Sequence, residues 1–295
     1  MAKKTDIEKA QTKGIVIMAF GKVGYAYAAW NLAKSIKTLS PSVEVCLIAQ
    51  ETILNYIADK TVFDTIKYIN NEEVVTNSKL DPAKAKINLY KFTPFDHTLY
   101  IDADCILLKD IEPLFDECIK SDKYYLTTVI DKGGKASEIR YSAWATNEKI
   151  WQHFKLKDDA ILPAIQSSWC YVRKCKEADK FHAALLKNFD FPIKDLSLKW
   201  GGGLPDELIY SGTCAQLGLM PEGNDAVFFG NTREQLTFEE ITNKHYILTL
   251  YGSGSGRKTV RLKYIEWYDR LVKKYAGRLI YKSLYILRDK HVDSK

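Results

Sequence analysis

The sequence predicts an α/β fold with a mostly parallel central sheet flanked by helices. Short apolar runs alternate with segments of helical periodicity along most of the chain. An apolar run over residues 14–20 leads into a helical pattern over 25–39 and a second apolar run over 43–49. This order of strand, helix and strand predicts a βαβ unit with parallel strands.

Further elements follow in the same manner. A helical segment begins at Glu51, and a short apolar stretch lies near 63–69. The remaining predicted strands are 97–101, 124–130, 168–172 and 246–251, and the remaining predicted helices are 82–95, 176–188, 208–217 and 259–288. Ligands of open parallel sheets collect beyond the carboxyl ends of the strands. We therefore expect a site that combines Phe20 and Gly21 with the segment Asp102 to Asp104, which follow two of these strands.

Composition limits the class of protein. A chain of 295 residues with 46% hydrophobic residues buries a large core, which excludes a disordered or disulfide-stapled protein. The six cysteines show no paired short spacing, so we expect a reducing compartment and no zinc site. No apolar run approaches the ~18 residues of a membrane span, so we expect a cytoplasmic protein without a transmembrane segment.

We divide the chain into a polar N-terminal segment (1–13), one large domain (14–256) and a C-terminal helical extension (257–295). The extension carries twelve Lys and Arg against four Asp and Glu, whereas the whole chain has a net charge of +6. Its basic residues interleave with tyrosine and tryptophan. This mixture suits peripheral contact with an anionic membrane or contact with nucleic acid, and a helix packed on the domain with a solvated basic face is the plainer alternative.

Asp102-Ala103-Asp104 is the main candidate for chemistry, because it emerges from an apolar strand. Buried carboxylates are costly unless they are paired or bind a cation. Two oxygen ligands one residue apart suit Mn²⁺ or Mg²⁺, which would bridge to a diphosphate. The alternative is that one aspartate caps a helix and the other lies in a solvated turn.

The motif lies in a longer block that resembles a known family. Lys86, Tyr90, Phe95 and the run 99–116, which begins Leu-Tyr-Ile-Asp-Ala-Asp, are similar to the central block of glycosyltransferase family 8, the group of glycogenin and the lipopolysaccharide galactosyltransferases. The resemblance implies a GT-A fold and a UDP-sugar donor. It also implies that Lys86 faces the donor, whereas without it Lys86 would be taken for a helix-surface lysine.

Three further segments resemble the same family, so that the likeness covers residues 14 to 256. They are 18–20 with Tyr25, 166–172, and 202–208. The donor-binding residues implied by the motif and the resemblance are Ala19, Phe20, Tyr25, Lys86, Asp102, Ala103, Asp104, Ser167 and Ser168, and the catalytic residues are Asp206, Glu207 and Lys86. Core packing is the alternative for the aromatic residues, and a favourable helix N-terminus is the alternative for Asp206.

The sequence departs from the family pattern at two places. Trp169 replaces a small glycine, which predicts a narrower or reshaped sugar pocket. The histidine that closes the family's metal site is replaced by Thr249, and His245 is the candidate third metal ligand only if the register shifts. Lys258, or Arg257, is the candidate for the lysine that grips the phosphates, with a solvated basic pair as the alternative.

The predicted function is transfer of glucose or galactose from a UDP-sugar to an acceptor hydroxyl, with retention implied by the resemblance. The acceptor is either a cell-surface glycan or lipid-linked sugar, or a hydroxymethylated DNA base. A nucleotide-sugar nucleotidyltransferase is a second hypothesis. Such an enzyme would have a glycine-rich, basic phosphate loop after the first strand, which residues 21–24 match only weakly. A non-catalytic nucleic-acid-binding protein is the third.

Overall fold

This computed structural model describes residues 11–76, 79–131, 145–190, 205–223, 225–230, 236–250 and 262–277. The strands are β1 (Lys13–Ala19), β2 (Glu44–Ala49), β3 (Thr65–Tyr68), β4 (Val75–Thr76), β5 (Lys79–Leu80), β6 (His97–Ile101), β7 (Cys105–Leu107), β8 (Tyr125–Asp131), β9 (Ala164–Arg173), β10 (Val227–Phe229) and β11 (Ile247–Thr249). The α-helices are α1 (Val23–Leu39), α2 (Glu51–Leu54), α3 (Pro82–Ile87), α4 (Leu89–Phe92), α5 (Glu112–Lys120), α6 (Asn147–Phe154), α7 (Lys176–Asp190), α8 (Asp206–Leu217), α9 (Phe238–Lys244) and α10 (Leu262–Ala276).

The central sheet has the strand order β3-β2-β1-β6-β9-β8. Strands β3, β2, β1 and β6 are parallel, and β9 runs antiparallel to both of its neighbours. The predicted α/β fold with a mostly parallel sheet is therefore confirmed. A smaller sheet has the order β10-β11-β7, in which β7 follows the Asp102 turn directly.

The apolar core lies in two layers, one on each face of the central sheet. On one face β1, β2 and β6 pack with α1, α5 and α10 and with the smaller sheet. On the other face the same sheet packs with α3, α6, α7 and α8. Strands covered on both faces are mostly apolar, which is why residues 15–19 of β1 and 45–49 of β2 are continuous hydrophobic runs.

The structure differs from the predicted elements in several respects. The predicted helix over 82–95 is two short helices, because Asn88 ends the first and begins the second. Strands β7 and β10 and helix α6 were not predicted. Within the described ranges, no helix combines the length and apolar character that a bilayer span requires. All six cysteines are free thiols, and five of them are buried, as expected of small hydrophobic side chains.

Candidate active site

The site lies where the carboxyl ends of two neighbouring parallel strands meet. Phe20 follows β1, and Asp102 follows β6. Strand β9 reaches the same place from the opposite direction, and the backbone N–H of Asp102 donates to the carbonyl oxygen of Ser168 at 2.8 Å. Ala103 is buried in the turn between β6 and β7. The topology thus brings segments that are far apart in sequence to one edge of the sheet.

Lys86 is the centre of a buried charged cluster. Its Nζ atom lies 3.0 Å from Asp102 Oδ1 and 3.1 Å from Asp206 Oδ2. The same ammonium donates to Ser167 Oγ at 3.0 Å, and Ser167 Oγ donates in turn to Asp206 Oδ2 at 2.7 Å. Burial opposes the charge of Lys86, but the charges of Asp102 and Asp206 outweigh burial and raise its pKa well above the usual range. Lys86 therefore stays protonated.

Two helices hold Lys86 in place. Helix α3 begins at Pro82, where the side chain of Asp81 accepts from the backbone N–H of Ala83 at 3.1 Å and so caps the helix. Helix α8 presents Asp206 to the ammonium and, one turn later, Tyr210, whose hydroxyl donates to the carbonyl oxygen of Lys86 at 3.0 Å. Lys86 is 8% exposed, which is unusual for a lysine and requires these partners.

Tyr100 contacts the same cluster. Its hydroxyl donates to Asp102 Oδ1 at 2.6 Å, and Lys86 Nζ lies 5.0 Å from the centre of its ring. Burial, followed by the charge of Asp102, raises the pKa of Tyr100 well above its usual range, so the phenol keeps its proton. Sequence reasoning missed Tyr100 and Tyr210, because a tyrosine inside an apolar run indicates core packing. The alternation of β6, which places Tyr100 and Asp102 on one face, was the available signal.

The cluster has more carboxylates than cations. Burial, and then the charge of Asp102, raise the pKa of Asp104 to about 7. Burial, and then the charge of Asp206, raise the pKa of Glu207 to about 8. Burial also acts to raise the pKa of Asp206, but Lys86 and the hydrogen bond from Ser167 lower it. Within the described ranges Lys86 is the cation that forms ion pairs here, so the site has a deficit of positive charge.

A divalent cation fits this deficit. The described residues contain no group of three or more His, Cys, Asp or Glu side chains that would chelate a metal by themselves. Mg²⁺ keeps several water ligands and is commonly held by one or two carboxylates together with substrate phosphates. Asp102 and Asp104 fit that ligand set, which a bound diphosphate would complete.

The structure does not bring His245 to these carboxylates, which corrects the expectation of a third ligand. Strand β11 pairs antiparallel with β7 and places Thr249 opposite Cys105, directly after Asp104. His245 lies beyond the other end of β11, and its Nδ1 is 2.7 Å from the carbonyl oxygen of Asp225. The register of the smaller sheet therefore sets His245 away from the site.

The residues expected around the nucleotide differ in their exposure. Burial, and then the charges of Asp104 and Asp102, raise the pKa of Tyr25 well above its usual range, so its phenol keeps its proton. Ala19 is 0% exposed, and Phe20 is 6% exposed and packs in the core. The side chain of Phe20 therefore packs in the core, which was the alternative to a contact with the donor. A donor contact from Ala19 would have to use its backbone.

The side chain of Trp169 packs on the face of the central sheet opposite helix α3. Its indole is 0% exposed and donates from Nε1 to Thr128 Oγ1 at 2.7 Å. The register between β8 and β9 shifts between Thr127 and Thr128, which marks a bulge in the ladder. Beyond this bulge Trp169 packs in the layer of α1, whereas Ser167 faces Lys86 on the other side. Trp169 and Ser167 thus lie on opposite faces of the sheet, and the narrower or reshaped sugar pocket stays a prediction.

Part of the C-terminal extension is packed on the domain. Tyr264, Tyr268 and Leu271 of α10 are buried against the layer of α1, whereas Arg270 and Lys273 are exposed. Residues 262–276 therefore form a helix that packs on the domain and exposes a basic face, which was the plainer alternative. Lys258, Arg257, the turn at 200–204 and the tail beyond 277 lie outside the described residues.

Comparison with solved structures identifies the fold. The galactosyltransferase LgtC, in complex with donor and acceptor sugar analogues, superimposes with a TM-score of 0.56 at 16% identity over 89% of this chain and 96% of LgtC. The bifunctional glycosyltransferase WbbM gives 0.59 at 12% identity, over 96% of this chain and 52% of WbbM. GlyE of Streptococcus pneumoniae gives 0.51 at 14% identity, over 90% and 63% of the two chains.

At these identities the likeness shows the fold, which is the GT-A fold of glycosyltransferases. No protein-family model matches the sequence, and no curated protein sequence matches it.

Proposed function

We propose that this chain is a divalent-metal-dependent glycosyltransferase that moves glucose or galactose from a UDP-sugar to an acceptor hydroxyl with retention. The observation that carries the proposal is the position of Lys86 between Asp102 and Asp206, beside the uncompensated carboxylate of Asp104. The likeness to glycosyltransferases, one of them solved with donor and acceptor sugar analogues, supports the same reading.

Each residue of the cluster has a role in this proposal. Asp102 and Asp104 hold Mn²⁺ or Mg²⁺ beside the donor diphosphate, and the ion neutralises the charge of the leaving group. Lys86, kept charged by its two aspartates, faces the donor and adds a second positive charge. Asp206 and Ser167, already joined by a hydrogen bond, orient the hydroxyls of the transferred sugar. Glu207 lies beside Asp206 at the start of α8 and completes the sugar pocket.

One observation disfavours the nucleotidyltransferase alternative. Such an enzyme needs free backbone N–H groups after the first strand to cradle phosphates. Here the N–H of Gly21 donates to Gln50 Oε1 at 2.9 Å, so it is already engaged.

The acceptor is proposed by class alone. A glycan or lipid-linked sugar at an anionic membrane surface, or a hydroxymethylated base in DNA, would each be attracted by the basic C-terminal extension. The exposed Arg270 and Lys273 of α10 belong to this surface.

UDP release from a panel of UDP-sugars tests the proposal, because slow donor hydrolysis to water needs no acceptor. We expect one UDP-sugar to be hydrolysed with Mn²⁺, and EDTA to abolish the reaction. Asp104→Ala should remove activity, whereas Asp159→Ala, at an exposed position, should retain it. If no UDP-sugar binds or reacts with metal present, the proposed function is wrong.

A further inference from the structure

The carboxylate of Asp102 offers its two oxygens unequally. Oδ1 accepts two hydrogen bonds, from Lys86 Nζ at 3.0 Å and from the hydroxyl of Tyr100 at 2.6 Å. No donor among the described residues contacts Oδ2. One oxygen of the carboxylate is therefore occupied by the protein, and the other is available to a ligand.

Tyr100 is held rigidly in this position. It lies on β6 two residues before Asp102, so both side chains project from the same face of the strand. Its ring is 4% exposed, and the backbone of Asp102 is anchored to Ser168 by a hydrogen bond of 2.8 Å. A carboxylate held by a fixed backbone and a fixed phenol cannot rotate to present both oxygens to one cation without breaking the short hydrogen bond from Tyr100.

We propose that Tyr100 is a positioning residue that restricts Asp102 to one metal-facing oxygen and thereby selects a small octahedral cation over Ca²⁺. The inference rests on the proposed metal-dependent transfer. Mg²⁺ and Mn²⁺ accept a monodentate carboxylate in an octahedral site, whereas Ca²⁺ takes more oxygen ligands and often binds carboxylates through both oxygens. An Asp102 that offers only Oδ2 therefore suits the smaller ions.

The test compares Tyr100→Phe with Tyr125→Phe. Tyr125 is a suitable control because its hydroxyl is also buried, at 1% exposure, packs in the same layer, and has no hydrogen-bond partner among the described residues. Each substitution removes one buried hydroxyl, but only the first removes a hydrogen bond to Asp102. Thermal unfolding should show that both variants fold.

Metal binding is measured directly and independently of catalysis. Mn²⁺ is titrated into each protein at a constant concentration of UDP. The concentration of free Mn²⁺ is measured from its electron paramagnetic resonance signal, with a protein-free UDP solution as the blank. Ca²⁺ is then added as a competitor. Loss of a hydrogen bond to a metal-ligating carboxylate typically costs about 10-fold or more in metal affinity. We expect Tyr100→Phe to lose Mn²⁺ affinity by this factor and to show a lower ratio of Mn²⁺ affinity to Ca²⁺ affinity. Tyr125→Phe should keep the wild-type affinity and the wild-type ratio.

The outcomes separate this inference from the proposed function. If the wild type binds Mn²⁺ and Tyr100→Phe keeps both the affinity and the ratio, the role of Tyr100 is wrong and the proposed function is unaffected. An equal loss in both variants would make the effect one of packing and would also overturn the inference. If the wild type binds no Mn²⁺, both the proposed metal dependence and the role of Tyr100 are wrong.

Discussion

Lys86 Nζ lies 3.1 Å from Asp206 Oδ2, and this ion pair joins helix α3 to the first turn of helix α8 beneath the edge of the sheet. The side chains of both residues are largely buried, at 10% and 14% exposure. A buried charge that loses its partner is strongly destabilising, because water cannot replace the lost interaction. The cluster proposed to bind the donor therefore also joins two helices, which leads to distinct predictions for its members.

Replacement of Lys86 by methionine should destabilise the protein. The substitution leaves the buried Asp206 and the partly buried Asp102 without a cation, and we expect a loss of about 3 kcal/mol or more in the free energy of unfolding at pH 8. Lys91→Met is the control, since Lys91 pairs with Glu73 at the surface with 60% of its side chain exposed and should change stability by about 0.5 kcal/mol or less. Urea denaturation measures both, and equal effects would contradict the prediction.

Asp104→Asn and Asp206→Asn should shift stability in opposite directions. The pKa of Asp104 is raised from 3.8 to about 7, so the unfolded chain loses this proton first and stability falls as pH rises between these values. The pKa of Asp206 is lowered, so its contribution is present above 3.8 and is lost as pH falls through the lower folded-state pKa.

In metal-free protein at pH 8, Asp104→Asn should therefore raise the melting temperature and Asp206→Asn should lower it. Thermal unfolding in EDTA provides the measurement, repeated at pH 5, where the gain from Asp104→Asn should shrink. We also expect Mn²⁺ to stabilise the wild type and not Asp104→Asn, as the proposed metal site requires. A fall in melting temperature for both variants at pH 8 would show that Asp104 has a partner in the folded protein.

Helix α10 should prove essential for stability through its packed face alone. Leu271 is 5% exposed in the layer of α1, and Leu271→Ala should cost about 2 kcal/mol or more by removing buried apolar surface and leaving a cavity. Lys273→Ala, at an exposed position of the same helix, should cost less than about 0.5 kcal/mol. Chemical denaturation of both variants tests this, and a small effect of Leu271→Ala would mean that α10 is loosely attached.

His97 should make the protein less stable in mild acid. Its Nδ1 lies 2.6 Å from the Tyr171 hydroxyl, and burial, followed by the charge of Arg173, lowers its pKa below 6.5. Because the unfolded chain binds this proton first as pH falls, the contribution of His97 is present above pH 6.5 and is lost as pH falls from there through the folded-state pKa.

His97→Gln removes this titration, so its stability deficit relative to the wild type should be smaller at pH 5 than at pH 7.5. Urea denaturation at the two values gives the comparison. A deficit that is constant with pH would show that His97 does not titrate differently in the folded and unfolded states.

The sequence was informative where local pattern and burial agree. Strand β6 could be predicted from its apolar run, and the exit of Asp102 from that strand followed directly. The meeting of Lys86 with Asp206 could not be derived from periodicity, because it depends on the packing of α3 and α8 on one face of the sheet. The resemblance to a family implied that both residues belong to one donor site, but it did not predict their ion pair.

Two placements that the sequence did not reveal have equally local causes. The side of the sheet on which Trp169 packs depends on a bulge in β9, and a bulge reverses the alternation on which sequence reasoning relies. The placement of His245 depends on the register between β11 and β7, two strands of three residues each. Strands so short carry too few side chains for the sequence to reveal their pairing.

The pairing of Thr249 with Cys105 also bears on how the protein is made. Strand β7 follows the turn that carries Asp102 and Asp104, and its described neighbour in the smaller sheet, β11, is synthesised much later. A nascent chain on the ribosome can assemble β1, β2 and β6 early, but β7 lacks its partner β11 until residues 247–249 emerge. Such long-range pairing is slow to form. The proposed donor site should therefore be completed only after residues 247–249 have been synthesised and have paired with β7.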